Sequence, residues 1–174
     1  MKRTFRSREH QLWEILWKSH IRPLLEHAIQ SWSPYQKTDI DVLERVQRAV
    51  TKHIHGMKGL TYEQRLAKLK WTTLRERRER GDAILIYQHL HNNVDLNLNT
   101  WHWAKPLSEL HGPASSVRAN EWRLNPPVKY KLKQREHFIT TRIEAPIRAL
   151  PSNILTASTV NEFKNAYDAH KHPR

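Results

Sequence analysis

Cysteine is absent and glycine is scarce, with four in 174 residues. The first absence excludes disulfides, thiolate metal sites and cysteine nucleophiles, and it is compatible with a reducing compartment. The second leaves no room for a glycine-rich P-loop. Acid is also short: 17 Asp plus Glu stand against 30 Lys plus Arg, for a formal charge of +13. No apolar run approaches the ~20 residues that a membrane-spanning helix needs. The opening "MKRTFRSREHQ" lacks the apolar core of a secretory signal, so a secreted protein is not expected. Catalytic signatures are missing too: no G-x-S-x-G, no H-E-x-x-H. The only close acid pair is Asp39 and Asp41, placed where a helix start explains them.

What is present is helical. Apolar residues make up 38% of the chain, below the ~45–50% of ordinary globular domains. Seven tryptophans and many Leu and Ile nevertheless argue for a folded chain with a thin core. Over 9–32, Leu12, Trp13, Leu16, Ile21, Leu24, Leu25, Ala28 and Trp32 recur at helical spacing, with a kink or short break expected at Pro23. Ser33 before Pro34 ends that stretch. A second helix is expected from Thr38, with Thr38 and Asp41 as a capping pair and Gly56 as its stop. Its expected apolar face is Ile40, Leu43, Val46, Val50, Ile54 and Met57. Capping boxes at Thr61 with Gln64 and at Thr73 with Glu76 open two more helices. The pattern is lost over 92–130, which reads as a long irregular connection with at most a short extended piece. A helix pair over 133–149 and 159–170 closes the chain, with Ser158 or Thr159 capping the last helix. The expectation is therefore an all-α protein: a small helical bundle over 1–91, an irregular segment over 92–131 and a helical tail over 132–174.

A charge of this size attracts polyanions, nucleic acid first and an acidic membrane surface second. Arg45, Arg48 and Lys52 share one side of the second helix by spacing. Arg75, Arg77, Arg78 and Arg80 crowd the start of the fourth, where Glu76 and Glu79 make a solvated, locally balanced face an equal reading. Trp101, Trp103 and Trp122 read first as anchors of the long loop and second as stacking platforms for bases. Of three H-x-H pairs, 53–55 and 89–91 are poor chelators on helices, because residues two apart face apart, and 170–172, near the terminus, would bind metal only adventitiously.

The order of these pieces is similar to a known family. "KRTFRSR", "HIRPLLEHAIQSWSPY", "DIDVLERVQRAVTKHIHGMKGLTYEQRLAKL" and "LRERRERGDAILIYQHLH" together resemble the C-terminal part of reverse transcriptases of non-LTR retrotransposons, of the jockey-like and chicken-repeat-like groups. The tail "REHFITTRIEAPIRALPSNILTASTVNEFKNAYDAH" resembles that family's closing segment. Departures exist. The family has Glu-Tyr where this chain has Glu26-His27. It has Trp-Asn before the Leu-Pro, whereas Ile147, Arg148 and Ala149 precede Leu150-Pro151 here and Pro146 is added. The palm's Tyr/Phe-x-Asp-Asp motif is absent from this chain.

The resemblance implies a helical thumb that closes on a template–primer duplex, with no catalytic residue of its own. The palm and fingers of the polymerase would be its protein partners. The magnesium of the reaction would belong to the palm, so no cofactor or metal is expected in this chain. Pro23 would shape the turn from the palm, and Arg45, Arg48 and Lys52, then Arg75, Arg77 and Arg78, would touch phosphates. Work on nucleic acid inside the cell, in the nucleus, and no membrane partner would follow. The alternatives are a free-standing basic helical nucleic-acid-binding protein, a protein-interaction module, and a decayed element fragment without selected activity.

Overall fold

A computed structural model describes residues 7–91, 104–106, 122–124 and 130–172, the side chains of the two short strands, Glu144 and Arg148 excepted. The chain divides into two compact units, Met1–Glu79 and Arg80–Arg174. The expected boundary at residue 91 thus moves back to 79, inside a helix. The cause is that the second half of that helix buries its apolar residues with the tail (below).

The first unit begins with α1 (His10–Leu16), a π-helical turn (Trp17–Ile21) and α2 (Arg22–Glu26). The wide turn closes with the Arg22 N–H on the Trp17 carbonyl, and Pro23 falls in the first turn of α2, where a missing N–H costs little. The expected break at Pro23 is therefore displaced. It comes at His27, which is extended, and Ala28, which sits at φ 49° before α3 (Ile29–Trp32). Left-handed backbone costs an alanine about 1–2 kcal/mol. Contacts on both sides hold it there: the Trp32 indole donates to the His27 carbonyl at 2.5 Å, and Arg77 makes a two-pronged pair with Glu26.

Next come α4 (Lys37–His53), α5 (Tyr62–Leu69) and α6 (Leu74–Leu90). The expected Thr38 cap is not formed; α4 starts one residue earlier, after Gln36, with no side-chain cap. The helix also ends at His53 and not at Gly56, which lies in the turn beyond at φ 76°. The other caps form as expected. Thr61 and Gln64 bond each other's backbone N–H at 3.3 and 2.9 Å, and Thr73 and Glu76 do the same at 3.1 and 2.8 Å. Trp13, Trp17, Val50, Ile54, Met57, Leu69 and Leu74 form the core of this unit. Trp17 stacks on Trp71 at 5.5 Å between ring centres.

The buried side of α4 is rotated from the apolar face read in the sequence. Val46 is 36% exposed, while Glu44, Gln47 and Thr51 are buried. Each of these residues makes a hydrogen bond in the fold, although the Gln47 side-chain oxygen is buried without a partner among the described residues. Glu44 accepts from the Tyr62 hydroxyl at 2.7 Å and from the Arg75 N–H at 2.9 Å; Gln47 donates to the Thr72 carbonyl at 2.9 Å; Thr51 donates to the Arg48 carbonyl at 3.1 Å. A satisfied polar group is cheap to bury.

The second unit packs Ala83, Ile86, Tyr87 and Leu90 of α6 against Ile139, Ile143, Ile147, Leu150, Ile154, Leu155, Ala157, Phe163 and Tyr167. Burying each of the larger side chains is worth about 1.5–3 kcal/mol. Tyr87 stacks on Phe163 at 4.4 Å and donates its hydroxyl to the Ala157 carbonyl at 2.6 Å. The expected helix over 133–149 is instead three short pieces, α7 (Lys133–Glu136), α8 (Ile139–Arg142) and α9 (Glu144–Arg148), followed by α10 (Ser152–Leu155). Ile139, Ile143, Ile147 and Leu150, spaced as on one helical face, keep to one core across the breaks. The last helix, α11 (Val160–Lys171), stands as read: Thr159 accepts from the Glu162 N–H at 3.1 Å, and Ser158 donates its N–H and hydroxyl to the Glu162 carboxylate. That network holds the Glu162 carboxyl below the usual range, the Ser158 hydroxyl bond being the largest cause. The only described strands are β1 (Ala104–Pro106) and β2 (Trp122–Leu124), an antiparallel pair with Lys105 opposite Arg123. The all-α class holds around this small ribbon.

Candidate nucleic-acid interface

Burial of Glu44, Gln47, Val50 and Thr51 fixes the rotation of α4 about its axis. Arg45, Arg48 and Lys52 are consequently exposed together. From Arg45 to Lys52 is seven residues, or about 10 Å of helix. Neither Arg45 nor Lys52 takes part in an ion pair with any described residue. The Arg48 guanidinium lies over the Tyr62 ring, 5.1 Å from its centre, and the buried Arg65 approaches the same ring at 5.9 Å. Tyr62 is the residue that sequence reasoning passed over. Its one visible signal was its place directly after the capping Thr61.

The arginine cluster of α6 fares differently. Arg75 is exposed and pairs with Glu79 at 3.1 Å along its own helix, a contact worth little in water. Arg77 and Arg78, expected to touch phosphates, are committed elsewhere. Arg77 grips Glu26 with two nitrogens, and Arg78 is only 4% exposed. Arg80 makes a two-pronged pair with Asp168 at 2.6 and 2.8 Å. In the same unit Arg142 holds the buried Asp82 at 2.8 and 2.9 Å. The face that looked half balanced by Glu76 and Glu79 is thus balanced mainly by acids remote in sequence. Of six expected contact residues the structure brings together Arg45, Arg48 and Lys52, leaves Arg75 exposed but paired, and withdraws Arg77 and Arg78.

Two of the H-x-H histidines are engaged with aromatic rings: His53 stacks on Trp13 at 5.7 Å and His91 on Tyr87 at 4.2 Å. Among the described residues there is no group of three or more His, Asp or Glu arranged to hold a metal ion. Nor is any described helix long and apolar enough to cross a membrane. Trp101, Trp103 and the side chain of Trp122 lie outside the described residues. No protein-family model, curated protein or solved structure matches this chain.

Proposed function

We propose that this chain is a non-catalytic grip on nucleic-acid duplex, of the kind that forms the thumb of a non-LTR RNA-directed DNA polymerase. The observation that carries the reading is the stripe of Arg45, Arg48 and Lys52, exposed on one side of a helix whose other side is locked into a core. Three cations at fixed spacing suit the phosphates of an RNA–DNA hybrid, read by charge and shape. The net charge of +13 supplies the long-range attraction. On this reading the polymerase's palm, with its paired aspartates and magnesium, is supplied by the rest of a longer protein, and the site of action is the nucleus.

The test is a salt series of hybrid binding by the full chain and by the triple variant R45A/R48A/K52A. One unit of slope in log K against log salt is expected per lost phosphate contact, so the triple variant flattens the slope by about three. All three side chains are exposed, so the helical circular dichroism stays unchanged. An unaltered slope overturns the assignment. A second reading, a self-sufficient nucleic-acid-binding module, draws on the separate core in each unit. It predicts tight binding without added palm, and equal affinity for single strands removes the duplex grip in its favour.

A further inference from the structure

Residues 54–61, between α4 and α5, form two successive β-turns that share Met57. The Met57 N–H donates to the Ile54 carbonyl at 3.3 Å, and the Leu60 N–H donates to the Met57 carbonyl at 3.4 Å. Gly56 at φ 76° and Gly59 at φ 84° hold the third position of each turn, where this geometry demands a positive φ. Half of the chain's four glycines are placed here. Met57 is buried in the core beside Ile54 and pins the double turn from below. Gly56, Lys58 and Gly59 are exposed.

Three features give this link a chemistry. The backbone N–H groups of Gly56, Lys58 and Gly59 have no partner among the described residues. Apart from Gly59 and its two chain neighbours, no atom lies within 4 Å of where a β-carbon would sit on Gly59, so the space beside its backbone is open. Positive charge also gathers at the turn. Lys68 of α5 donates its ammonium to the Gly56 carbonyl at 3.3 Å, Lys58 sits between the glycines, and Lys52 lies one helical turn before them. None of these lysines is in an ion pair with a described residue. Turns that present successive free N–H groups bind anions, and an ammonium holding one acceptor keeps two further donors.

We infer that this double turn is a phosphate-binding site, formed by the Lys58 and Gly59 backbone N–H groups with the Lys58 and Lys68 ammoniums, and that it takes a nucleic-acid phosphodiester. The choice of nucleic acid rests on the grip proposed above. The turn follows the Arg45–Arg48–Lys52 stripe directly in the chain, past the end of α4, and on this inference one strand's backbone would meet side-chain cations and main-chain donors in succession. A Gly-x-x-Gly link between two helices clamps backbone nucleotides in KH modules by the same means. The scarcity of glycine excludes a P-loop, but two glycines at two turns suffice for this device.

The full chain labelled with ¹⁵N-glycine gives at most four amide signals, and Gly81 inside α6 serves as the internal reference. On titration with an RNA–DNA hybrid, the Gly56 and Gly59 signals shift and that of Gly81 stays. The exposed double variant K58A/K68A binds about tenfold more weakly, with a salt slope flatter by about two. If the hybrid binds and R45A/R48A/K52A weakens it, while the glycine signals and K58A/K68A are unmoved, the turn site is overturned and the helix grip stands. If the hybrid fails to bind but inorganic pyrophosphate shifts Gly59, the duplex grip and the nucleic-acid ligand are both overturned, and only the phosphate site at the turn stands. If neither ligand moves Gly56 or Gly59, the inference is overturned.

Discussion

A single buried carboxylate, Glu44, ties α4 to the two helices that follow it. One oxygen accepts the Tyr62 hydroxyl and the other the Arg75 N–H, at the start of α6. The second bond places negative charge against the positive end of a helix dipole. The first has a consequence for Tyr62. Burial, and then the hydrogen bond to Glu44 and its charge, raise the phenol above its ordinary value, against the opposing pull of Arg48 and Arg65. In the unfolded chain a tyrosine ionises near about 10. Above that pH the unfolded state releases a proton that the folded state keeps, so stability is complete below about 10 and declines as pH rises toward the folded value. Tyr62→Phe removes this proton. Its stability falls more gently with pH above about 10 than that of the wild type, even though its starting stability is lower. Urea unfolding at a series of alkaline pH values measures both curves; parallel curves refute the linkage.

At the scale of elements, the signals that were legible are the local ones. Thr61 with Gln64, Thr73 with Glu76 and Thr159 with Glu162 all span three residues, and all three caps form. Thr73→Ala leaves the Glu76 N–H, in the first turn of α6, without its acceptor and costs about 1 kcal/mol. Thr73→Ser, which keeps the hydroxyl, recovers most of it; the difference in urea midpoint between the two variants measures the cap, and equal midpoints show that it contributes nothing. What was not legible depended on partners far along the chain. The inward face of α4 was misread because Glu44, Gln47 and Thr51 look like surface residues until Tyr62, Thr72 and Arg75 are folded over them. The pairing of Arg77 with Glu26, and of Arg80 with Asp168, is not visible locally because the partners lie 51 and 88 residues away. The break at 27–28 was invisible for a related reason. Nothing local forbids His27 and Ala28 from continuing a helix, and it is the paired Glu26 on one side and the Trp32 indole on the other that hold the left-handed turn. Pro23, the conspicuous residue, falls in the first turn of α2, directly after a π-helical turn, and makes no break.

At the scale of the whole molecule the useful quantity is where the excess of positive charge remains after internal pairing. Arg77, Arg80 and Arg142 meet Glu26, Asp168 and Asp82. Arg45, Lys52, Lys58 and Lys68, within 45–68, are in no ion pair with a described residue, and neither are Lys37, Lys70, Lys131, Lys133 and Lys164 elsewhere in the chain. A surface built from helix cations and backbone N–H groups sees phosphates and not base edges, so it carries no sequence information. The affinity of the full chain for RNA–DNA hybrids of unrelated sequence and equal length is therefore expected to agree within about threefold. The same affinity falls steeply between about 50 and 200 mM salt, because condensed counterions are released on binding. Fluorescence anisotropy with a panel of labelled hybrids measures both. Base-reading proteins separate specific from unrelated sites by about 10³ or more. A spread of that size within the panel would assign binding to groups other than this stripe and turn, and would sink the phosphate grip as the source of affinity.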